Sequence, residues 1–414
     1  MEKTSKIVEI LTKKVENKQE IGKNDMESVI FSYVRDEITD QEILPFIRAI
    51  YNSGLSYQDL FYLTDAMKNS GEVLDLSSLG TVTDKHSTGG VSDTTTIAIV
   101  PICACLGTKM LKLSGRSLGF TGGTCDKLEC FEGYQTDLPL EKAIELTKQN
   151  GGCMITSSKN IAPADKKIYA LRDRTGLVDN ISLIASSIMS KKLATNANIL
   201  VLDVKYGNGA FMPNIRQARK LGKVMKKLGE LAGKKVKISY GNMDEPLGYN
   251  VGPKLETMEA IEVLKNQNPK SKLFKECVHL ASLCHSLDKN ISYFASKKQV
   301  LNVIQNGQAL EKLKTMVKSQ GGELTLFDET YPAPTLSVMA GKKGKVVHFE
   351  TKKIGSLVAE MIGHNKDNKN LGIRTFVKLK SKVTESTKLF DIYANSAQQA
   401  NAYANKIKQC ITIK

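Results

Sequence analysis

The stretch from Thr81 to Thr124, TVTDKHSTGGVSDTTTIAIVPICACLGTKMLKLSGRSLGFTGGT, decides the fold. A short apolar strand runs into a glycine-rich turn, TVTDKHSTGGVSD, and then into the helical TTTIAIVPICACLG. The order repeats at once: TKMLKLSGRSLGFTGGT leads into the short helical CDKLECF. GCMITSS and NILVLDVKYGNG supply two further strands, the second again closed by a glycine turn. Strands that alternate with helices are the pattern of a largely parallel sheet.

Outward from that stretch the pattern changes. The first 67 residues read as helices, with Thr39 and Glu42 forming a capping box ahead of EILPFIRAIYNSG and Gly54 as its stop. APADKKIYALRD opens a helix with Pro163 in its first turn, and LIASSIMSKKLA follows as another. Both would pack against the amino-terminal helices. The expected architecture is therefore α/β, with a small all-helical domain (1–67 and 164–194) and a larger α/β phosphate-binding domain (68–163 and 195–330). That larger domain carries a mixed, largely parallel sheet, an α+β carboxyl-terminal subdomain follows at 331–414, and a cleft lies between the domains.

Composition narrows the class. A chain of 414 residues with a hydrophobic share of 41% can build more than one core. No apolar run reaches the roughly 20 residues of a membrane helix, and the charged start MEKTSKIVEILTKKVENK lacks the apolar centre of a secretory signal. These features predict a cytoplasmic protein with no membrane partner. The eight cysteines include no C-x-x-C pair and read as reduced, packed thiols. The net charge of +16 admits a non-catalytic nucleic-acid-binding protein. The late lysines, as in TFVKLKSKV, are scattered and lack aromatic platforms, so a solvated basic surface fits them better and no nucleic-acid partner is expected.

Two glycine loops carry the chemistry. The first sets Lys85, His86, Ser87 and Thr88 before Gly89 and Gly90, with Thr94, Thr95 and Thr96 following. The second offers Lys112, Ser114, Gly122, Gly123 and Thr124. Glycines let the backbone approach an anion, a following helix start presents unpaired N–H groups, and hydroxyls with a lysine complete a phosphate pocket. Neither loop is G-x-x-x-x-G-K-[ST] or G-x-G-x-x-G, which disfavours NTPases and dinucleotide enzymes. Ser187 and Lys191, four apart in a predicted helix, share one face and could grip one ligand.

SGRSLGFTGGTCDKLE resembles the signature of the thymidine and pyrimidine-nucleoside phosphorylases, and DKHSTGGVSD resembles that family's phosphate loop. SGEVLDLSS, APADKKIYALRD, ASSIMSKK, LDVKYGNGAFMP and PLGYNVG follow the family in order, and the likeness fades beyond about residue 331. Lys112, in KLSGR, resembles the members that accept both uridine and thymidine. Ser117 and Phe120 stand where the family usually has Gly and His, and Ser92 replaces a usual Gly. Tyr206 and Asn208 are also unusual in their loop.

The resemblance implies phosphorolysis of uridine, thymidine and deoxyuridine to free base and (deoxy)ribose 1-phosphate, in nucleoside salvage or catabolism. Phosphate, the co-substrate, would be held by Lys85, Ser87, Thr96, Lys112, Ser114 and Thr124. The base would be held by His86, Arg172, Ser187 and Lys191, of which His86, Arg172 and Lys191 are the implied catalytic groups. A potassium ion would lie on Ser92, Thr94, Leu247, Asn250 and Glu259. The implied assembly is a homodimer through the helical domain, with small-molecule nucleoside and phosphate as partners and no redox cofactor. A thymidine-restricted phosphorylase and a phosphoribosyltransferase of related fold remain the enzymatic alternatives. The latter would want magnesium and acidic ligands beside the glycine loop.

Overall fold

The helix Thr95–Cys105 is apolar on every side, which a helix tolerates only when neighbours surround it. A computed structural model describes residues 2–117, 119–363 and 366–414. Met1, in the expected helical range, and Leu118, in the second glycine loop, lie outside the described residues. In it the helix is enclosed by Lys272–Lys289 and Gln308–Ser319, with Ile97, Ile99, Val100 and Ile102 fully buried in the core they share. Its first turn is thereby held at the end of the first glycine loop.

Five strands carry the loops: β1 (Thr83–Ser87), β2 (Met110–Ser114), β3 (Gly152–Thr156), β4 (Ile199–Tyr206) and β5 (Lys235–Asn242). β2 and β3 pair in parallel from Met110↔Gly152 to Ser114↔Thr156. A parallel bridge from Val82 to Lys109 carries that direction to β1, which lies next to β4, and β4 next to β5. The order β3-β2-β1-β4-β5 gives an α/β sheet of the expected kind.

The chain divides into two compact units: residues 1–80, 157–200 and 219–238, and residues 81–156, 201–218 and 239–414. The first is built on helices, among them Asp40–Ser53 with its Thr39–Glu42 capping box. In it the helix Tyr57–Asn69 packs on Ile181–Ala194, where the buried hydroxyls of Thr64 and Ser186 meet at 2.8 Å. It reaches beyond the ranges read from helical pattern alone. Lys235 N–H donates to the Asn198 carbonyl and the Lys234 ammonium to Asn196 Oδ1 at 2.7 Å, which ties the 219–238 segment to it.

In the second unit, residues 331–414 build a core of their own. Two antiparallel layers form it: Gly372–Thr375 between Asn250–Val251 and Lys388–Tyr393, and Gly344–Phe349 between Lys382–Val383 and Ile411–Ile413. Val91 and Phe120, one from each glycine loop, are part of that core. No described helix is long and apolar enough to cross a membrane.

Gln320 anchors β3 from the end of the helix Gln308–Ser319. Its Oε1 accepts from the Met154 N–H at 3.2 Å and the Tyr134 hydroxyl at 2.8 Å, and its Nε2 donates to the carbonyls of Met154 and Gln135. Truncation would orphan several buried polar groups at once. Gln320→Ala should lower the unfolding free energy on the order of 3 kcal/mol. Urea denaturation followed by circular dichroism checks this, and a shift corresponding to less than about 0.5 kcal/mol would mean that water replaces the amide without loss.

Candidate functional site

The first glycine loop is organised around a carboxylate that motif reading passed over. Asp93 accepts from the Ser87 hydroxyl at 2.5 Å, and from the Thr95 hydroxyl at 2.7 Å and N–H at 3.3 Å. Thr95 accepts in turn from the Lys85 ammonium at 2.7 Å. Lys85 is 1% exposed and lies 3.4 Å from Asp203, whose carboxylate also pairs with Lys205 at 2.8 Å. Lys205 reaches Glu276 at 2.7 Å. Burial disfavours the ionised form of Asp93, yet the charges of Lys85 and Lys205, aided by the two hydroxyls, hold its carboxyl well below the usual range.

The second loop folds on itself and against the first. Arg116 grips Glu129 with two bonds of 2.9 and 2.8 Å, and Ser117 N–H donates to Asp126 at 2.7 Å. A Cβ on Gly89 would stand 3.7 Å from both Thr121 Cγ2 and the edge of Phe211. Lys127, fully buried, donates to the Asp93 carbonyl at 2.9 Å and pairs with Glu256 at 2.7 Å, so it links the two loops.

The expected phosphate residues are all in this unit. Lys85 and Ser87 belong to the Asp93 cluster, and half-buried Thr96 lies in the first turn of the helix Thr95–Cys105. Lys112 is buried against Asp84 at 2.8 Å. Ser114 ends β2 with a buried hydroxyl that has no hydrogen-bond partner among the described residues, and Thr124 opens the short helix after Gly123. His86 is half-buried on β1, between Lys85 and Ser87.

Arg172, Ser187 and Lys191 belong to the helical unit. Arg172 ends the helix Pro163–Arg174 buried, and donates to the carbonyls of Leu177, Val178 and Leu183. It thus fixes the segment entering the helix Ile181–Ala194, and burial pushes its guanidinium down. Ser187 is buried on that helix; Lys191, one turn on, keeps 45% of its side chain exposed and pairs with buried Asp165.

The residues implied for potassium gather around the loop 246–250. Ser92 adopts φ +63° and its hydroxyl accepts from the Gly248 N–H at 3.0 Å. Glu259 accepts from the N–H groups of Tyr249 and Asn250 at 2.7 to 3.0 Å. Leu247 N–H donates to the Val91 carbonyl at 3.2 Å. Thr94 Oγ1 and Asn250 Oδ1 are buried without partners among the described residues, which suits the hard oxygen donors a monovalent cation takes. Among the described residues no group of three His, Cys, Asp or Glu side chains could hold a metal ion. A cation is already present in covalent form: the Lys378 ammonium donates to the carbonyls of Pro246 at 2.6 Å and Gly248 at 2.5 Å. Burial pushes Lys378 down against the opposing pull of Glu245 and Glu259, and it pushes Glu259 up.

Several departures from the family pattern have visible partners. Phe120 packs its ring 5.1 Å from Phe211, under the Lys352 ammonium. Asn208 N–H donates to Asp244, and its Oδ1 accepts from Lys352 N–H in the first turn of Thr351–Ile362. That helix approaches the second loop so closely that a Cβ on Gly355 would fall 2.4 Å from the Phe120 carbonyl.

Residues 79–310 match the family described as "Glycosyl transferase family, a/b domain". The pyrimidine-nucleoside phosphorylase of Staphylococcus haemolyticus (strain JCSC1435) is 38% identical over 421 residues, covering 99% of this chain and 96% of that protein. The pyrimidine-nucleoside phosphorylase of Staphylococcus aureus (strain USA300) is 36% identical over 425 residues with the same coverage. Among solved structures, anthranilate phosphoribosyltransferase from Thermus thermophilus superposes with a TM-score of 0.60, covering 75% of this chain and 99% of that one. At 17% identity that likeness concerns the fold alone.

The second loop has one position that admits no side chain. A Cβ on Gly123 would stand 2.3 Å from the Arg116 carbonyl carbon and the Ser117 nitrogen, both backbone atoms. Gly123→Ala must displace the loop while leaving the cores untouched. Phosphate affinity measured by calorimetry should fall about a hundredfold with little change in the melting temperature. Unaltered affinity would mean that the loop does not shape the anion site.

Proposed function

Because the chain belongs to the thymidine and pyrimidine-nucleoside phosphorylase family, we propose that it splits pyrimidine nucleosides with inorganic phosphate into free base and pentose 1-phosphate. What supports this reading is the contact between the two glycine loops, with buried Lys85 and the Ser87 and Thr95 hydroxyls gathered around Asp93 in the first, and in the second the buried Ser114 hydroxyl, which has no partner among the described residues. A phosphate oxygen attacks C1′ as the C1′–N bond breaks, the electron pair leaves with the base, and the base takes up a proton. Configuration at C1′ inverts.

Phosphate is assigned to Lys85, Ser87, Thr96, Lys112, Ser114 and Thr124. Lys85 and Lys112 are locked on carboxylates, so they set the local field, and hydroxyls and helix N–H groups make the closest contacts. His86, Arg172, Ser187 and Lys191 are assigned to the base. Lys191 is the group best suited to stabilise charge developing on the departing pyrimidine, since its ammonium keeps access to solvent. Arg172 is assigned a shaping part, because three of its five donors are spent on backbone carbonyls.

A potassium ion on Ser92, Thr94, Leu247, Asn250 and Glu259 is the accompanying reading, supported by the orphaned buried oxygens of Thr94 and Asn250. Its charge would draw those oxygens and carbonyls inward and stiffen the turn between the first glycine loop and residues 246–250. A homodimer through the helical unit and a cytoplasmic location complete the proposal. Ile10, Tyr57 and Tyr169 are large side chains exposed on that unit.

Two measurements test the reading. Base release should require phosphate and yield the α-1-phosphate, and Ser114→Ala should raise the KM for phosphate about tenfold with a smaller change in kcat. Equal release in phosphate-free buffer, with free pentose as product, would identify a hydrolase. Uridine and thymidine should both be cleaved, with kcat/KM values within about a thousandfold of each other, and cytidine rejected. Rejection follows from donors facing the 4-position, where cytidine presents an amino group. Rapid cleavage of cytidine would remove Arg172 and Lys191 from that position.

A further inference from the structure

The carboxyl-terminal segment 375–381 grips the loop 245–250 at every step. Leu379 N–H donates to Glu245 Oε2 at 2.7 Å, and the Thr375 N–H and hydroxyl donate to the Tyr249 carbonyl at 2.7 and 2.9 Å. Between these anchors the Lys378 ammonium binds the carbonyls of Pro246 and Gly248 and lies 4.6 Å from the centre of the Tyr249 ring. Glu245 and Glu259 supply the opposing charge. Two carbonyls, an aromatic face and nearby carboxylates are the surroundings a bound monovalent cation would take.

The gripped loop holds the first glycine loop through its other side. The N–H groups of Leu247 and Gly248, interleaved with the two carbonyls that Lys378 binds, donate to the Val91 carbonyl and the Ser92 hydroxyl. Val91 and Ser92 lie between Gly90 and Asp93, and Ser92 is held at a positive φ that a serine does not adopt unaided. The Pro246 carbonyl and the Leu247 N–H are one peptide group, so the ammonium that polarises its oxygen strengthens the donation of Leu247 to the Val91 carbonyl.

We propose that Lys378 is a positioning residue for phosphate: its tethered ammonium serves the loop 246–250 as a permanent monovalent cation and holds the first glycine loop in its anion-binding form. The assignment rests on the phosphorylase reading above. It makes a free cation an adjunct, because one positive charge is delivered by the chain itself.

The test is phosphate binding by calorimetry on the full chain, with tetramethylammonium as the only added cation, and then with potassium. Wild-type protein should bind phosphate with affinities within about twofold in the two buffers. Lys378→Ala should bind about tenfold or more weakly in tetramethylammonium and recover in potassium or methylammonium, small cations that fit the vacated place. Lys378→Arg, which keeps the charge, should stay close to wild type. In turnover, Lys378→Ala should raise the phosphate KM and leave the nucleoside KM nearly unchanged, a split that general destabilisation would not produce. Equal phosphate affinity in wild type and a folded Lys378→Ala with tetramethylammonium as the only added cation overturns the proposal, as does wild-type binding that collapses without potassium. Wild-type protein that binds no phosphate in either buffer overturns the phosphorylase reading and this proposal with it.

Discussion

A lysine ammonium withdrawn from water must be met by anions at close range, and Lys85 imposes that demand on the middle of the sheet. Asp203 on β4 answers from one side and Asp93 in the glycine loop from the other, while Lys205 balances Asp203 and Glu276 balances Lys205 in turn. Three elements are fixed by this arrangement: β1, β4 and the first turn of the helix Thr95–Cys105. Removing one member would strand the remaining charges in a dry interior, a loss on the order of 3 to 5 kcal/mol. The loop geometry is therefore a consequence of charge balance, and the glycines only make it sterically accessible.

A second constraint comes from far along the chain. The likeness to the pyrimidine-nucleoside phosphorylases spans 99% of the chain, so it includes the carboxyl-terminal piece, which packs on both glycine loops. Gly355 lies against the Phe120 carbonyl, Asn208 Oδ1 accepts from the Lys352 N–H at the start of its helix, and Lys378 holds the carbonyls behind Ser92. Phe120, Asn208 and Ser92 all meet this brace or the loop it grips.

The fold was legible because it rests on local signals. Alternating strand and helix patterns, the capping box at Thr39 and Pro163 at a helix start are statements about neighbours in sequence, and the strands and helices lie where they point. The site was legible only in its ingredients. Hydroxyls, glycines and lysines marked two anion loops, but Asp93 was hidden in a run of polar residues and Lys127 in a short helix. Their roles depend on partners far off in sequence: Asp93 needs Lys205 on β4, and Lys127 needs Glu256 beyond β5. Lys378 was less visible still. In TFVKLKSKV it looks like any solvated lysine, and only the tertiary fold, which brings it to Pro246 and Gly248, makes it a half-buried donor. Arg172 taught the reverse lesson, since a residue that resemblance aims at a ligand spends most of its donors on its own loop.

The pairing of nearly every cation around the loops bears on catalysis. Lys85, Lys112 and Lys127 each face a carboxylate, so the field at the anion site is that of dipoles and balanced charges. A cluster of unpaired lysines would hold phosphate tightly in the ground state and dull the oxygen that must attack C1′. Binding strength that is equal before and during reaction lowers KM without accelerating the chemical step. Hydroxyls and N–H groups fixed by buried ion pairs orient the nucleophile without neutralising it, and they need no rearrangement as charge moves from phosphate toward the base. Under the proposed assignment the buried pairs act on rate through rigidity, and the strength of the phosphate contact falls to the few groups, Ser114 above all, whose hydrogen-bonding capacity is not consumed among the described residues.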